Sequence, residues 1–249
     1  INKVSYSFFQ KMIDFEFKII TKIIRFKAKK ENRTLNQKDY DILIKILQKK
    51  MNENGLYYYI PGMQEFYKSK TKNIIFYGSY EDYKYYENNK EFIKKMYKPK
   101  YNELDKNKEI YEKINNNNSV CVTIRRGDFM NSTNKQNYYI CNSQYFKKAI
   151  DKMNKIVKEP QYVVFSDDIE WCKKNMEFPL NTIYESGNDP IWEKIRLMYS
   201  CKHFIISNST FSWWAQFLSE NREKNVIAPK KWNNFEYCDL IYDDNWNLI

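Results

Sequence analysis

"VCVTIRRGDF", Val120 to Phe129, decides how this chain is read. A run of β-branched and apolar residues stops at two adjacent arginines, followed by a glycine and an aspartate. A short apolar run bounded in this way reads as a buried strand with Arg125–Arg126 at its carboxyl end. Three meanings are open for that end: a phosphate clamp, an Arg-Gly-Asp adhesion tripeptide, or a charged turn.

On the C-terminal side the same pattern repeats. Strands are expected at Ser119–Ile124, Gln161–Phe165, Asn181–Tyr184, His203–Ile206 and Val226–Ala228. Helices are expected between them at Ser143–Val157, Ile169–Met176, Pro190–Ser200 and Phe211–Ser219, with Asp189 as N-cap and Pro190 at the first helical position. Alternating buried strands and helices predict a parallel, doubly wound α/β sheet, whose ligands bind beyond the carboxyl ends of the strands.

On the N-terminal side, apolar residues from Phe8 to Phe26 recur at helical spacing with lysines between them, predicting an amphipathic helix over Ser7–Lys30. It can be a core-facing helix with a solvated lysine face or a membrane-surface helix. A helix at Asn36–Lys50, a strand at Leu56–Ile60, a strand within Asn73–Tyr80 that ends at Gly78, and helices at Tyr83–Met96 and Glu103–Ile114 follow. The four asparagines Asn115–Asn118 are the expected linker.

Composition narrows the chemistry. The 42 Lys and Arg against 31 Asp and Glu give a net charge of +11, suited to a polyanion, an anionic membrane or a phosphate-bearing molecule. The charge is spread along the chain, so no nucleic-acid partner is expected. Five cysteines without a C-x-x-C pair suggest a reduced, cytoplasmic chain, and one histidine excludes a multi-histidine metal site. P-loop and Gly-x-Gly-x-x-Gly fingerprints are absent.

Three strand ends carry polar residues. Arg125–Arg126 suits bidentate phosphate recognition, or salt bridges to Asp128 and a neighbouring carboxylate. Asp167–Asp168 can be a metal pair, a helix N-cap, or acceptors for a nucleobase or ribose. Asn208, Ser209 and Thr210 precede a helix and can offer an anion site or only a cap. His203, opening an apolar strand, is expected to be structural.

In this order the strand ends resemble the α-1,2-fucosyltransferases, the family 11 glycosyltransferases. The carrying segments are "TIRRGDF" (Thr123–Phe129), "VVFSDDIEWCKKN" (Val163–Asn175), "WEKIRLMYSCKHFIISNSTFSWWAQFL" (Trp192–Leu218) and "VIAPKKW" (Val226–Trp232), with weaker matching through Tyr57–Tyr86. The resemblance implies a GT-B-like fold of two Rossmann-like domains with parallel sheets. Residues 1–117 would be a partial, helix-rich acceptor-side domain, and 118–249 the GDP-sugar-binding domain. It implies metal-independent, inverting transfer of L-fucose from GDP-fucose to the 2-hydroxyl of a galactoside in a surface glycan such as an O-antigen. GDP-fucose is the donor and no further cofactor is expected. The acceptor could be lipid-linked, with peripheral membrane association through the basic helix. Arg125 and Asp128 would be catalytic. Arg125, Arg126, Asp167, Asp168, Asn208, Ser209 and Thr210 would bind the donor. A transferase of another nucleotide sugar and a non-catalytic glycan- or nucleic-acid-binding remnant are the alternatives. Two departures stand out: Thr123 replaces the family's histidine, and no Gly-x-Gly-Asn-Gln segment is present, so the N-terminal domain is expected to be incomplete or the sequence a fragment.

Overall fold

Helical spacing in the first fifty residues produces two long helices, α1 (Lys3–Lys30) and α2 (Gln37–Glu53), in a computed structural model that describes residues 3–34, 36–59, 65–234 and 239–249. A capping box starts α2. The Asn36 side chain accepts from the Asp39 N–H at 3.2 Å, and the Asp39 carboxylate accepts from the Asn36 N–H at 3.0 Å. Ile20 and Ile24 of α1 pack on Leu43 and Leu47 of α2. Strands β1 (Leu56–Tyr58) and β2 (Ile75–Tyr77) pair in parallel. Gly55 lets them meet: its φ is +85°, and a Cβ there would sit 2.1 Å from the Asn73 carbonyl oxygen. Ile60, the expected end of the first strand, lies outside the described residues.

The single helix expected over Tyr83–Met96 is two, α3 (Lys84–Glu87) and α4 (Lys90–Met96). Asn89 between them has φ −115° and ψ 14°, outside the helical region. Asparagine side chains compete with helical hydrogen bonding, and two in succession interrupt it.

From there the chain runs α5 (Lys108–Asn116), β3 (Asn118–Ile124), α6 (Ser132–Tyr138), α7 (Ser143–Ile156), β4 (Pro160–Ser166), α8 (Ile169–Asn175) and β5 (Ile183–Tyr184). It continues α9 (Ile191–Ser200), β6 (His203–Ile205), α10 (Thr210–Leu218), β7 (Val226–Ala228) and β8 (Asn247–Leu248). All six strands from β3 onward are parallel, in the order β5-β4-β3-β6-β7-β8. Counted from β3 this is 3-2-1-4-5-6, the order of doubly wound dinucleotide-binding sheets. Val120, Val122 and Ile124 of β3 lie under Phe146, Ala149, Ile150 and Met153 of α7 in one buried cluster. The chain is thus an α/β protein with parallel sheets.

The chain forms two compact units, Ile1–Tyr85 and Tyr86–Ile249. Asn115–Asn118 form only a helix-to-strand turn, with α5 ending at Asn116 and β3 beginning at Asn118. The segment before β3 is tied to the second unit by buried groups. Tyr111 and Ile114 of α5 are core residues, and the Asn107 amide donates to Asp189 at 2.8 Å and Glu193 at 3.0 Å. Those bonds also explain a second difference. Pro190, not Asp189, is the N-cap of α9, because the Asp189 carboxylate is turned to Asn107 and to Lys106 at 2.5 Å. Among the described residues no helix is long and apolar enough to cross a membrane.

Candidate functional site

Strand order reverses between β3 and β6, the first and fourth strands of the sheet, and the chain segments leaving their carboxyl ends diverge there. β3 ends in Ile124 and delivers Arg125 and Arg126. β4 lies alongside with Ser166 level with Ile124, delivering Asp167 and Asp168. β6 delivers Ser207 to Thr210 on the other side. Adjacent strands are about 4.8 Å apart, so parallel pairing alone gathers the three polar segments at one edge.

The two arginines are held differently. Arg126 is only 12% exposed; its guanidinium lies 3.3 Å from the centre of the Trp171 ring, and its Nε donates to Asp168 at 3.3 Å. Its backbone N–H donates to Asp167 at 2.9 Å. Stacked and paired, Arg126 anchors the loop to the first turn of α8. Arg125 is 40% exposed and bridges two carboxylates, Asp128 and Asp167, each at 2.7 Å. The mutual repulsion of the pair is therefore answered within the protein by Asp128, Asp167 and Asp168.

Asp167 and Asp168 do separate work as well. Asp168 caps α8, accepting from the Trp171 N–H at 3.2 Å, while its own N–H donates to the Ser166 hydroxyl at 3.0 Å. Asp167 crosses over the β3 loop at Gly127. A Cβ at Gly127 would come within 2.6 Å of the Asp167 Oδ2 that Arg125 holds, so glycine clears the way for this bridge. Asp128 sits in a single turn, Gly127–Met130, with its carboxylate half exposed beside Arg125.

At β6, Ser207 is buried and its N–H donates to the hydroxyl of Thr123 at 3.1 Å. Thr123 thus ties the ends of β3 and β6 across the switch point. Asn208 is also buried, and its amide donates to the carbonyls of Tyr138 at 2.9 Å and Trp232 at 2.8 Å. Both amide hydrogens are engaged in holding the loop. Ser209 is the N-cap of α10 but its hydroxyl makes no capping bond, and Thr210 begins the helix exposed to solvent. The first N–H groups of α10 have no intrahelical acceptors, which leaves a partial positive charge next to two hydroxyls. No side-chain cap forms at Ser209. His203 lies at the opposite, amino end of β6, where its Nδ1 accepts from the Asn225 N–H at 3.1 Å; burial and Lys202 lower its pKa. It is a structural histidine, remote from the carboxyl edge.

Sequence reasoning missed three contributors. Trp171 was visible three residues beyond Asp168, but its stack on Arg126 is a tertiary contact. Tyr145 of α7 donates to the Ile206 carbonyl at 2.7 Å and so supports the end of β6. Gly127 was visible only as a turn residue. Cys121, Cys141, Cys172 and Cys201 are free and buried, while Cys238 lies outside the described residues.

The model of glycosyl transferase family 11 matches residues 7–249. An alpha-1,2-colitosyltransferase of Escherichia coli is 31% identical over 188 residues, 68% of this chain and 62% of the relative. The O-antigen biosynthesis glycosyltransferase WbnK of the same species is 30% identical over 142 residues, 55% of this chain and 47% of the relative. Galactoside alpha-(1,2)-fucosyltransferase 1 of Saimiri sciureus is 29% identical over 104 residues, 40% of this chain and 28% of the relative. The chain therefore spans less than two thirds of the length of each. No solved structure matches it. With its sheet order, its arginine-bearing switch point and a family match running from residue 7 to the last residue, the chain belongs to glycosyl transferase family 11.

Proposed function

We propose that the protein is an inverting, metal-independent glycosyltransferase of GT-B-like architecture that moves L-fucose from GDP-fucose to the 2-hydroxyl of a galactoside. The observation that carries the reading is the switch point. An exposed guanidinium, Arg125, stands at the end of one strand, and an uncapped helix start with Ser209 and Thr210 stands at the end of its neighbour. A diphosphate would accept from both, drawing Arg125 from the carboxylates it bridges and meeting the first N–H groups of α10.

Energetics favour the exchange. Exposed ion pairs such as Arg125 with Asp128 contribute about 0–1 kcal/mol, whereas hydrogen bonds to a charged ligand contribute roughly 1.5–3 kcal/mol each. Arg125 can therefore leave Asp128 for the donor while Arg126, stacked on Trp171, keeps the loop in place. In the reaction the bond from the sugar's anomeric carbon to the phosphate oxygen breaks and its electron pair stays on GDP. Arg125 and the α10 N–H groups stabilise that growing negative charge. The acceptor oxygen forms the new bond from the opposite face, and its proton passes to a carboxylate. Asp128, freed from Arg125, is the candidate. Asp167 keeps the backbone of Arg126 in position, and Asp168 lies at the same edge for a nucleoside hydroxyl or base. The Asn208 amide acts by shaping the loop. The name of one relative, a colitosyltransferase, favours a second reading in which another nucleotide sugar is the donor. Buried free thiols support work in a reducing compartment such as the cytoplasm.

Titration calorimetry with GDP tests the site. Arg125→Ala is expected to weaken GDP by on the order of 100-fold, since two charge-assisted bonds go. An unchanged affinity overturns the clamp. Turnover with GDP-fucose, GDP-mannose and UDP-galactose side by side identifies the donor, and a requirement for manganese after EDTA treatment would overturn the metal-free mechanism.

A further inference from the structure

Helix α1 is apolar on two sides, and only one of them is packed. Ile20, Ile24 and Ala28 are buried along one side. At 3.6 residues per turn, Phe15, Ile19, Ile23 and Phe26 fall on the opposite side in a stripe about 80° wide. Phe15 is 63%, Ile23 61% and Phe26 72% exposed, so among the described residues nothing covers the stripe. Isolated exposed apolar residues need no explanation, but four large ones in a row along one helix face do.

Charge identifies what covers it. Along one edge of the stripe run Lys11, Lys18, Lys22, Arg25 and Lys29, again at spacings that return to one side of the helix. Among the described residues no carboxylate pairs with Lys18, Lys22, Arg25 or Lys29. Glu16 is turned away to pair with Lys50 of α2. At the end of this edge, Arg25 and Lys29 line an open groove of about 630 Å³ shared with Arg33, Thr34 and Tyr40. A protein partner with a matching apolar face would leave this row of cations unanswered. A bilayer carrying anionic headgroups answers both features at once: rings and aliphatic side chains enter the boundary of the acyl region, and long basic side chains reach up to phosphates.

We propose that α1 is a membrane-surface helix, lying parallel to an anionic bilayer with Phe15, Ile19, Ile23 and Phe26 inserted and the Lys18–Lys29 edge on lipid phosphates. The proposal does not rest on the donor reading, because GDP binding and vesicle binding are separate measurements. It is tested by co-sedimenting the full-length protein with vesicles of phosphatidylcholine alone or with phosphatidylglycerol. Binding is expected only to the anionic vesicles, falling about tenfold or more between low salt and 0.5 M salt as screening shortens the reach of the charges. Ile23→Asp with Phe26→Asp, and separately Lys18→Glu with Lys22→Glu, are each expected to abolish it while circular dichroism and GDP affinity stay at wild-type values. Failure to bind anionic vesicles overturns the proposal. So does a concentration-dependent dimer that the Ile23→Asp, Phe26→Asp variant dissolves in the absence of lipid, because a second copy would then be the occupant. Equal binding to neutral vesicles would overturn the role given to the basic edge.

Discussion

Phe146 in the second unit and Leu47 in the first are both core residues, but their surroundings differ. Phe146 is one member of a cluster drawn from β3, β4, β6, β7, α7 and α8, closed on every side. Leu47 belongs to a cluster of four residues between two helices, one of which exposes its far face. The second unit is a sheet covered by helices, and it can therefore hold buried polar groups such as Thr123, Ser207 and Asn208 in fixed positions. The first buries polar side chains too, among them Gln48 and Asn52, whose amides donate to the backbone carbonyls of Glu65 at 2.7 Å and Leu56 at 3.1 Å, but its helix α1 presents an apolar face to solvent. Its chemistry is that of a surface, cationic and apolar side by side. A site that must position a guanidinium to within fractions of an ångström belongs in the former.

The strongest way to break that contrast is to empty each core. Phe146→Ala should destabilise by roughly 3–5 kcal/mol, with a clear drop in the urea midpoint. Leu47→Ala should stay near 2 kcal/mol, the low end for such truncations, because solvent already lies close by. Equal losses in the two would mean that the first unit is as tightly closed as the second.

A smaller effect tests the polar interior. Thr123→Val leaves the buried Ser207 N–H without an acceptor and should lower stability by about 1–3 kcal/mol. It should also weaken GDP, since the ends of β3 and β6 are no longer tied together. Thr123→Ser keeps the hydroxyl and should recover most of both. A Val variant as stable and as tight as wild type would show that this hydrogen bond does not set the switch point.

The last effect, read as a slope with pH, lies at the other end of the sheet. Lys224 is largely buried, donates to the Gln216 carbonyl and sits near Lys90 and Lys94. Burial first, then those cations, push its pKa down to about 7. In the unfolded chain it titrates near 10.4. Between these values the unfolded state holds a proton that the folded state lacks, so stability rises with pH from about 7 to about 10, by up to ~1.4 kcal/mol per unit. Lys224→Met should remove that slope in urea titrations at pH 7, 8 and 9 while leaving GDP binding alone. An unaltered slope would show that Lys224 stays charged in the fold.

Much of the candidate site was legible beforehand because parallel sheets confine function to strand ends. Once "VCVTI", "YVVF" and "HFII" read as strands, Arg125, Asp167 and Ser209 were bound to meet at one edge. Their individual duties were not legible. Arg125 and Arg126 are neighbours of identical chemistry, and only the Trp171 ring, brought in by α8, makes one an anchor and leaves the other exposed. Asn208 looked as available as Ser209 until the carbonyls of Tyr138 and Trp232, distant in sequence, took its amide hydrogens. Asp189 looked like a helix cap until Asn107 and Lys106 claimed it. The two-residue strand β8 and the polar helix α6 carried too little apolar pattern to be read at all.

By itself the sequence determined the α/β alternation, the parallel sheet, the three polar strand ends and the amphipathic helix α1 with its basic face, since all of these follow from local periodicity and from the residues that interrupt it. Tertiary structure decided the order of the strands, the division at Tyr85, the hydrogen bond from Ser207 to Thr123 and the unequal roles of the paired arginines. Those depend on which groups from remote parts of the chain arrive to satisfy a buried donor or a charge, and no local pattern encodes that arrival.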